Sequence, residues 1–335
     1  MATIKGPLSG KVLSDASPDG RKPSWHPDAP DPRQMAEWVM EGEEEPLRDA
    51  FSRFSLPTTN LLHDARTGSM VDLLVSNGAN INEPYDYRGR DLGEDEAAEF
   101  TPLQAAAAYG RKEVFDRLLD LNADIDAGGN DRPLMRALGP HVSSEPYVEM
   151  ANTLLDRGAR VQAEPGEMPA LNLAVKNYHQ APLVKRLLES GADPQQGFEN
   201  EGTPLHHVKD VQPGVADLLL DYGANKNAPK SDEDPMTPLE AAVFRGQTKT
   251  VTRLIEREAD VTQVVQSENW AQHSDPQHRA PTANTNRQRI REAGIREAAE
   301  IVHVEYEMRT LRQAAAEATH EQEQAPAPRK IRQRM

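Results

Sequence analysis

Cysteine is absent from this 335-residue chain. That excludes disulfides, thiolate nucleophiles and cysteine-ligated zinc, and a cytoplasmic location is the plain expectation. Aromatic residues make up only 5% and the hydrophobic set only 37%, little material for one thick core. Such a composition suits an elongated protein whose thin core is built from Leu, Val and Ala. No apolar run approaches the roughly 18 residues of a membrane span. The opening stretch MATIKGPLSGKVLSDASPDG has no apolar h-region, which argues against a Sec-type signal peptide.

Positive charge is also scarce: the net charge is −16. Residues 287–335 hold 10 Lys/Arg against 8 Asp/Glu, so the acid excess lies in 1–286. An acidic body repels phosphate, and nucleic acid is not an expected partner. A protein partner with a basic face is favoured, unless the acidity serves solubility alone. Catalytic motifs are missing too. There is no H-E-x-x-H, no G-x-S-x-G and no phosphate loop. Acid pairs such as Asp124 and Asp126 fall in turns, where carboxylates cap backbone, and His273 and His278 are too loosely placed to argue for metal. No catalytic residue, cofactor or metal ligand is expected.

What the chain does have is periodicity. The stretch NEGTPLHHVKD (200–210) has relatives in FTPLQAAAAYG (100–110), MTPLEAAVFRG (236–246) and NLLHDARTG (60–68). Weaker copies are RPLMRAL (132–138) and PALNLAV (169–175). Each is followed by an apolar pair and a small-residue turn: NGANIN, NADIDA, RGARVQ, SGADPQ, YGANKN and EADVTQ. The Thr slot is filled by Asn60, Thr101, Arg132, Pro169, Thr203 and Thr237, at intervals of 41, 31, 37, 34 and 34 residues. Thr203 can cap a helix start, and Pro204 fits the first helical position. Leu205 and Val208 share a face. A second helix near 215–220 ends at Gly223, which suits a left-handed stop. One such helix pair cannot bury its apolar face without stacked neighbours.

A period of about 33 residues with a T-P-L-H-x-A signature resembles the ankyrin repeat. The resemblance covers 58–265 in six units and implies an all-α ankyrin-repeat solenoid of helix-turn-helix units with short hairpin loops. It also implies a non-catalytic protein-interaction module. In ankyrin-like proteins the imidazole of the His slot ties neighbouring loops by hydrogen bonds, which is the role implied for His63 and His206. The other units place Gln104, Met135, Asn172 and Glu240 there, so no shared chemistry is expected. The binding face implied by the resemblance is the concave side, built from hairpin tips and first-helix residues. By motif position its candidates are Tyr109, Arg136, Tyr178, His207, Phe244 and Arg245, with Phe198 in the loop before unit five. His207 is expected either to contact a partner or to face solvent.

Irregularities add candidates. The insertion 83–100 carries Tyr85, Tyr87, Arg88 and Arg90 before an acidic run, and exposed Tyr and Arg are typical interface anchors. A second insertion, 139–146, separates the helices of unit three, with Pro146 starting the second helix. Arg132 and Pro169 replace the capping Thr, so the middle of the stack is expected to be distorted or weaker.

Residues 1–33 read as a disordered segment with Trp25 inside it, and 34–57 as a helical N-terminal cap with Trp38, Val39, Leu47, Phe51 and Phe54 on its apolar face. Residues 266–285 read as a linker, 286–324 as a long C-terminal helix and 325–335 as a disordered basic tail. Ile301, Val304, Met308, Leu311, Ala315 and Ala318 form a short a/d seam that Gly294 and Glu297 break upstream. The helix either packs back on the repeats or pairs with a partner helix, giving a homo-oligomer through 286–324. A disordered start, ankyrin repeats and a long helix also look like some bacterial effectors delivered into host cells without a Sec signal. A cytosolic scaffold or a toxin-neutralising partner fits the same layout.

Overall fold

A computed structural model describes residues 22–23, 26–86, 99–128, 131–139, 145–177, 180–212, 214–266 and 286–324. Trp25, Tyr87, Arg88, Tyr178, the linker and the basic tail lie outside the described residues. The chain divides into two compact units, Met1–Ala159 and Arg160–Met335.

The first unit opens with two helices, α1 (Pro32–Glu41) and α2 (Glu44–Arg53). Asp31 caps α1 by accepting the Gln34 N–H at 2.8 Å, and Pro32 occupies a position where no N–H is needed. Met35, Val39, Leu47, Phe51 and Phe54 are buried. A short parallel pairing joins β1 (Lys22–Pro23) to β2 (Phe54–Ser55).

Three helix pairs follow. The first is a 3-10 turn, Leu61–Asp64, and α3 (Gly68–Ser76). The second is α4 (Pro102–Ala108) and α5 (Lys112–Asp120). The third is α6 (Pro133–Ala137) and α7 (Glu145–Asp156). Between the first two pairs, β3 (Tyr85–Asp86) runs antiparallel to β4 (Glu99–Phe100). At α4, Thr101 and Gln104 form a reciprocal capping box. Arg132 offers no such cap, and α6 is only five residues long. Its guanidinium stem is nevertheless fully buried.

The second unit repeats the scheme. α8 (Ala170–Lys176) is followed by α9 (Ala181–Glu189). Pro169 gives α8 no side-chain cap. A 3-10 turn, Pro204–His207, precedes α10 (Val215–Asp221). α11 (Pro238–Phe244) and α12 (Thr248–Glu256) form the next pair, then α13 (Val261–Gln266). The first element of the Thr203 repeat is thus a 3-10 turn rather than an α-helix. Its continuation is diverted because Asp210 reaches forward to cap α12, accepting from Thr250 N at 2.8 Å and Lys249 N at 3.1 Å.

The apolar pair in four of the second helices supplies the core: Leu73 and Leu74, Leu118 and Leu119, Leu154 and Leu155, Leu187 and Leu188 are all buried. Each fully buried Leu contributes about 1.5–3 kcal/mol. The turns after these helices use one device. A side-chain carboxamide or carboxylate accepts the N–H two residues on, at Asn80, Asp124, Asp193, Asn225 and Asp260. Outer faces are laced from one repeat to the next by Arg117–Asp72, Arg157–Asp120 and Arg253–Asp217 pairs. These are exposed and individually weak.

The last element is α14 (Asn286–Gln324), 39 residues long. It packs on α11, α12 and α13 through Ile295, Ala298 and Val302, all buried. Gly294 meets Gly246 backbone to backbone: a Cβ on Gly294 would sit 3.2 Å from Gly246 O. The seam drawn from the sequence is not the buried one. Val304, Met308 and Leu311 are 54%, 43% and 66% exposed. Small residues let α14 approach the repeats, so Gly294 and Ala298 set the contact and the larger apolar side chains are left outside. Among the described residues no helix is long and apolar enough to cross a membrane.

Candidate functional site

The His slot has a shared chemistry after all. In four repeats its side chain donates to the carbonyl that immediately precedes the next repeat's Thr slot. His63 Nε2 reaches Phe100 O at 2.8 Å, and Gln104 Nε2 reaches Asp131 O at 2.8 Å. Asn172 Nδ2 reaches Gly202 O at 2.9 Å, and His206 Nε2 reaches Met236 O at 3.0 Å. The expectation that differing residues preclude a common role is therefore corrected. What recurs is an N–H donor at one backbone position, and His, Gln and Asn all supply one. Met135 has none.

The same side chains cap their own turns. Gln104 Oε1, His206 Nδ1 and Glu240 Oε2 accept the N–H of Thr101, Thr203 and Thr237 at 2.8, 3.1 and 3.0 Å. His206 must therefore carry its proton on Nε2 and be neutral. Burial, the largest influence, pushes its pKa down, against the pull of the Met236 and Thr203 bonds. Burial likewise lowers His63.

Arginines add a second recurrent tie. Arg111 Nη1 donates to His63 O at 2.5 Å, and Arg245 Nη1 donates to His206 O. Arg245 is thus occupied by backbone and half-buried, and burial lowers its pKa. It is less free for a partner than its motif position implies.

The remaining sequence candidates divide by unit. In the first unit Tyr85 is half-buried, its ring 5.4 Å from that of His63 and packed against Phe100. Arg136 lies 4.2 Å over the Phe100 ring and pairs with Asp131 at 2.8 Å. Tyr85 and Arg136 are thereby both brought to Phe100. Tyr109 is 44% exposed, with the Arg111 guanidinium 5.1 Å from its ring centre.

In the second unit Phe198 and Phe244 are half-buried. His207 is only 8% exposed, so the expectation of solvent is overturned. It sits in the 3-10 turn, within electrostatic reach of Arg245 and of the Lys176–Glu201 pair, whose closest approach is 2.7 Å. Burial pushes its pKa down to about 4, with Arg245 adding to the effect and Glu201 opposing it. Its Nε2 is buried without a hydrogen-bond partner.

Sequence reasoning missed Arg111, Lys176 and Glu201, since single charged residues in a polar chain carry no periodic signal. It also missed Tyr222, 41% exposed after α10. Among the described residues no group of three or more His, Asp or Glu is placed to hold a metal ion.

Comparison with known proteins agrees with this geometry. A family model described as "Ankyrin repeats (3 copies)" matches residues 171–264, and one described as "Ankyrin repeat" matches 99–130. Rabankyrin-5 of Mus musculus is 28% identical over 220 residues, and that of Homo sapiens 27% over 213. Each match covers 61% of this chain and 18% of the relative, so the chain spans under a fifth of the length of these relatives. The helix pairs, the capped T-P-L starts and the donor ladder between them are those of ankyrin repeats, and the chain is all-α and carries such repeats at 99–130 and 171–264.

Proposed function

We propose that this chain is a non-catalytic scaffold that captures a protein with a basic face through its hairpin tips and first-helix ends. Ankyrin repeats mediate protein–protein interaction, and the fold serves many unrelated ligands. The observation that supports the reading here is Tyr109. It is a large aromatic left 44% exposed at the end of a first helix, steadied by the Arg111 cation. Rigid exposed aromatics beside arginine are the usual anchors of interfaces. The polar groups capable of acid–base work, His63 and His206, are spent on holding repeats together. The net charge of −16 steers a basic partner.

A photo-crosslinking amino acid at position 109 tests this in the full chain. Covalent capture of one protein, lost when Tyr85 or Arg136 is also replaced but not when the exposed Tyr222 is, supports the face as drawn. Absence of any crosslinked partner, or capture that ignores Tyr85 and Arg136, sinks it.

A further inference from the structure

α14 has two apolar faces, and only one is covered. Ile295, Ala298 and Val302 are buried on the repeats. Ile301, Val304, Met308 and Leu311 run along the flank at spacings of three and four, a line about 15 Å long. This line begins in a groove of ≈ 430 Å³ between α12 and α14. The groove's apolar wall is Ile255, Ile301 and Val304. Its rim is Glu256, Glu297, Glu300 and Glu305. Arg253 pairs with Glu256 at 2.7 Å and Arg309 with Glu305 at 2.8 Å. Glu297 and Glu300 have no cationic partner among the described residues.

We propose that this groove and the apolar line beyond it dock an amphipathic segment of another protein, rich in Lys and Arg. Its apolar residues at helical spacing seat on Ile255, Ile301, Val304, Met308 and Leu311, the helix-in-groove mode of recognition. Its cations meet Glu297 and Glu300. An apolar strip beside unpaired carboxylates selects a cation-flanked helix and rejects an acidic one by repulsion. The strip is therefore a poor match for itself. A second copy of α14 brings its own Glu297, Glu300 and Glu305 against these acids, and its Arg309 is already bonded to Ala259 O at 2.9 Å and paired with Glu305. This site uses residues other than the Tyr109 face and stands or falls without it.

The probe is a fluorescent synthetic peptide of about 18 residues with Leu at helical spacing and Arg and Lys elsewhere. A control keeps the Leu pattern with Glu replacing the cations. Fluorescence anisotropy with the full chain should show binding of the basic peptide and not of the acidic one. The double variants Val304→Asp/Leu311→Asp and Glu297→Lys/Glu300→Lys alter exposed side chains, so both should keep the wild-type unfolding midpoint. Each should weaken the basic peptide at least about tenfold. Equal binding of the two peptides, or equal binding by either variant, overturns the proposal. So does self-association of the intact chain that Val304→Asp/Leu311→Asp abolishes, since a second copy is then the occupant. Competition by a peptide of residues 325–335 at matched concentration overturns it as well, since the chain's own basic segment then fills the groove.

Discussion

His206 bonds two repeats at once: its Nδ1 accepts the Thr203 N–H at 3.1 Å while its Nε2 donates to Met236 O at 3.0 Å. Gln104 performs both tasks with an amide three repeats earlier. His206→Gln should therefore cost less than about 1 kcal/mol. His206→Leu leaves a buried donor and acceptor unmet and should cost about 2–4 kcal/mol. Urea unfolding of both variants decides. Equal losses would mean the imidazole matters for its volume and not for its two bonds.

Acidification should weaken the fold. His63, His206 and His207 all have folded pKa values lowered chiefly by burial. The unfolded chain thus binds protons that the folded chain refuses. Their contribution is complete above about pH 6.5 and declines as pH falls through that value. For His207 the decline continues to about 4, a loss of about 3 kcal/mol. The unfolding midpoint of wild type should drop between about pH 7.5 and about pH 5. His207→Gln, which has no proton to refuse, should drop less. Parallel pH profiles for the two proteins would contradict the buried neutral state of His207.

Gly294→Val should detach α14. The added side chain meets Gly246 O, about 3.2 Å from the new Cβ, and the obstacle is backbone that cannot swing aside. Limited proteolysis should then cut within 286–324 far sooner than in wild type, with the repeats still resistant. Unchanged cleavage would show that the helix can slide to accept the bulk.

Glu258→Gly should stabilise the last repeat. Glu258 has φ 63° at the stop of α12, where Gly158, Gly191 and Gly223 hold the equivalent turn at φ 81–94°. Relief of left-handed strain outweighs the entropy glycine adds to the unfolded chain, for a gain up to about 1 kcal/mol. The lost ion pair with Lys226 spans 3.8 Å, with Glu258 88% exposed, and is worth little. A lower melting temperature would refute the strain at this position.

The repeat scheme was open to reading because its signals are local. Thr and Pro at a helix start and Asn or Asp in a turn act within four residues, and the structure uses them at Thr101, Thr237, Asn80 and Asn225. The donor ladder was hidden because it depends on where a side chain meets the next repeat's carbonyl. His63, Gln104 and Asn172 look unrelated as letters and are equivalent only in space. The face of α14 was misjudged for a similar reason. Hydropathy ranks Val304 and Leu311 above Ala298, but close approach of helices rewards the smaller residue. His207 looked open to a partner or to solvent because its motif position follows the His slot toward the concave side, whereas the 3-10 turn Pro204–His207 leaves it 8% exposed.

Glu240 gives the ladder a polarity with a terminus. It fills the slot where His63, Gln104, Asn172 and His206 present an N–H, yet its side chain carries oxygens where theirs carry nitrogen. One oxygen accepts from Thr237 N at 3.0 Å and the other is buried without a partner. A seventh helix pair stacked there would bring its carbonyl oxygen against a glutamate oxygen in place of an N–H. The slot does not set array length by itself, since Met135 also lacks a donor and a repeat follows it, but at the last pair the missing donor and the packing of α14 act in the same direction. Grafting a further ankyrin unit onto this chain would then call for Glu240→Gln or Glu240→His together with displacement of α14, which already packs on α11 and α12.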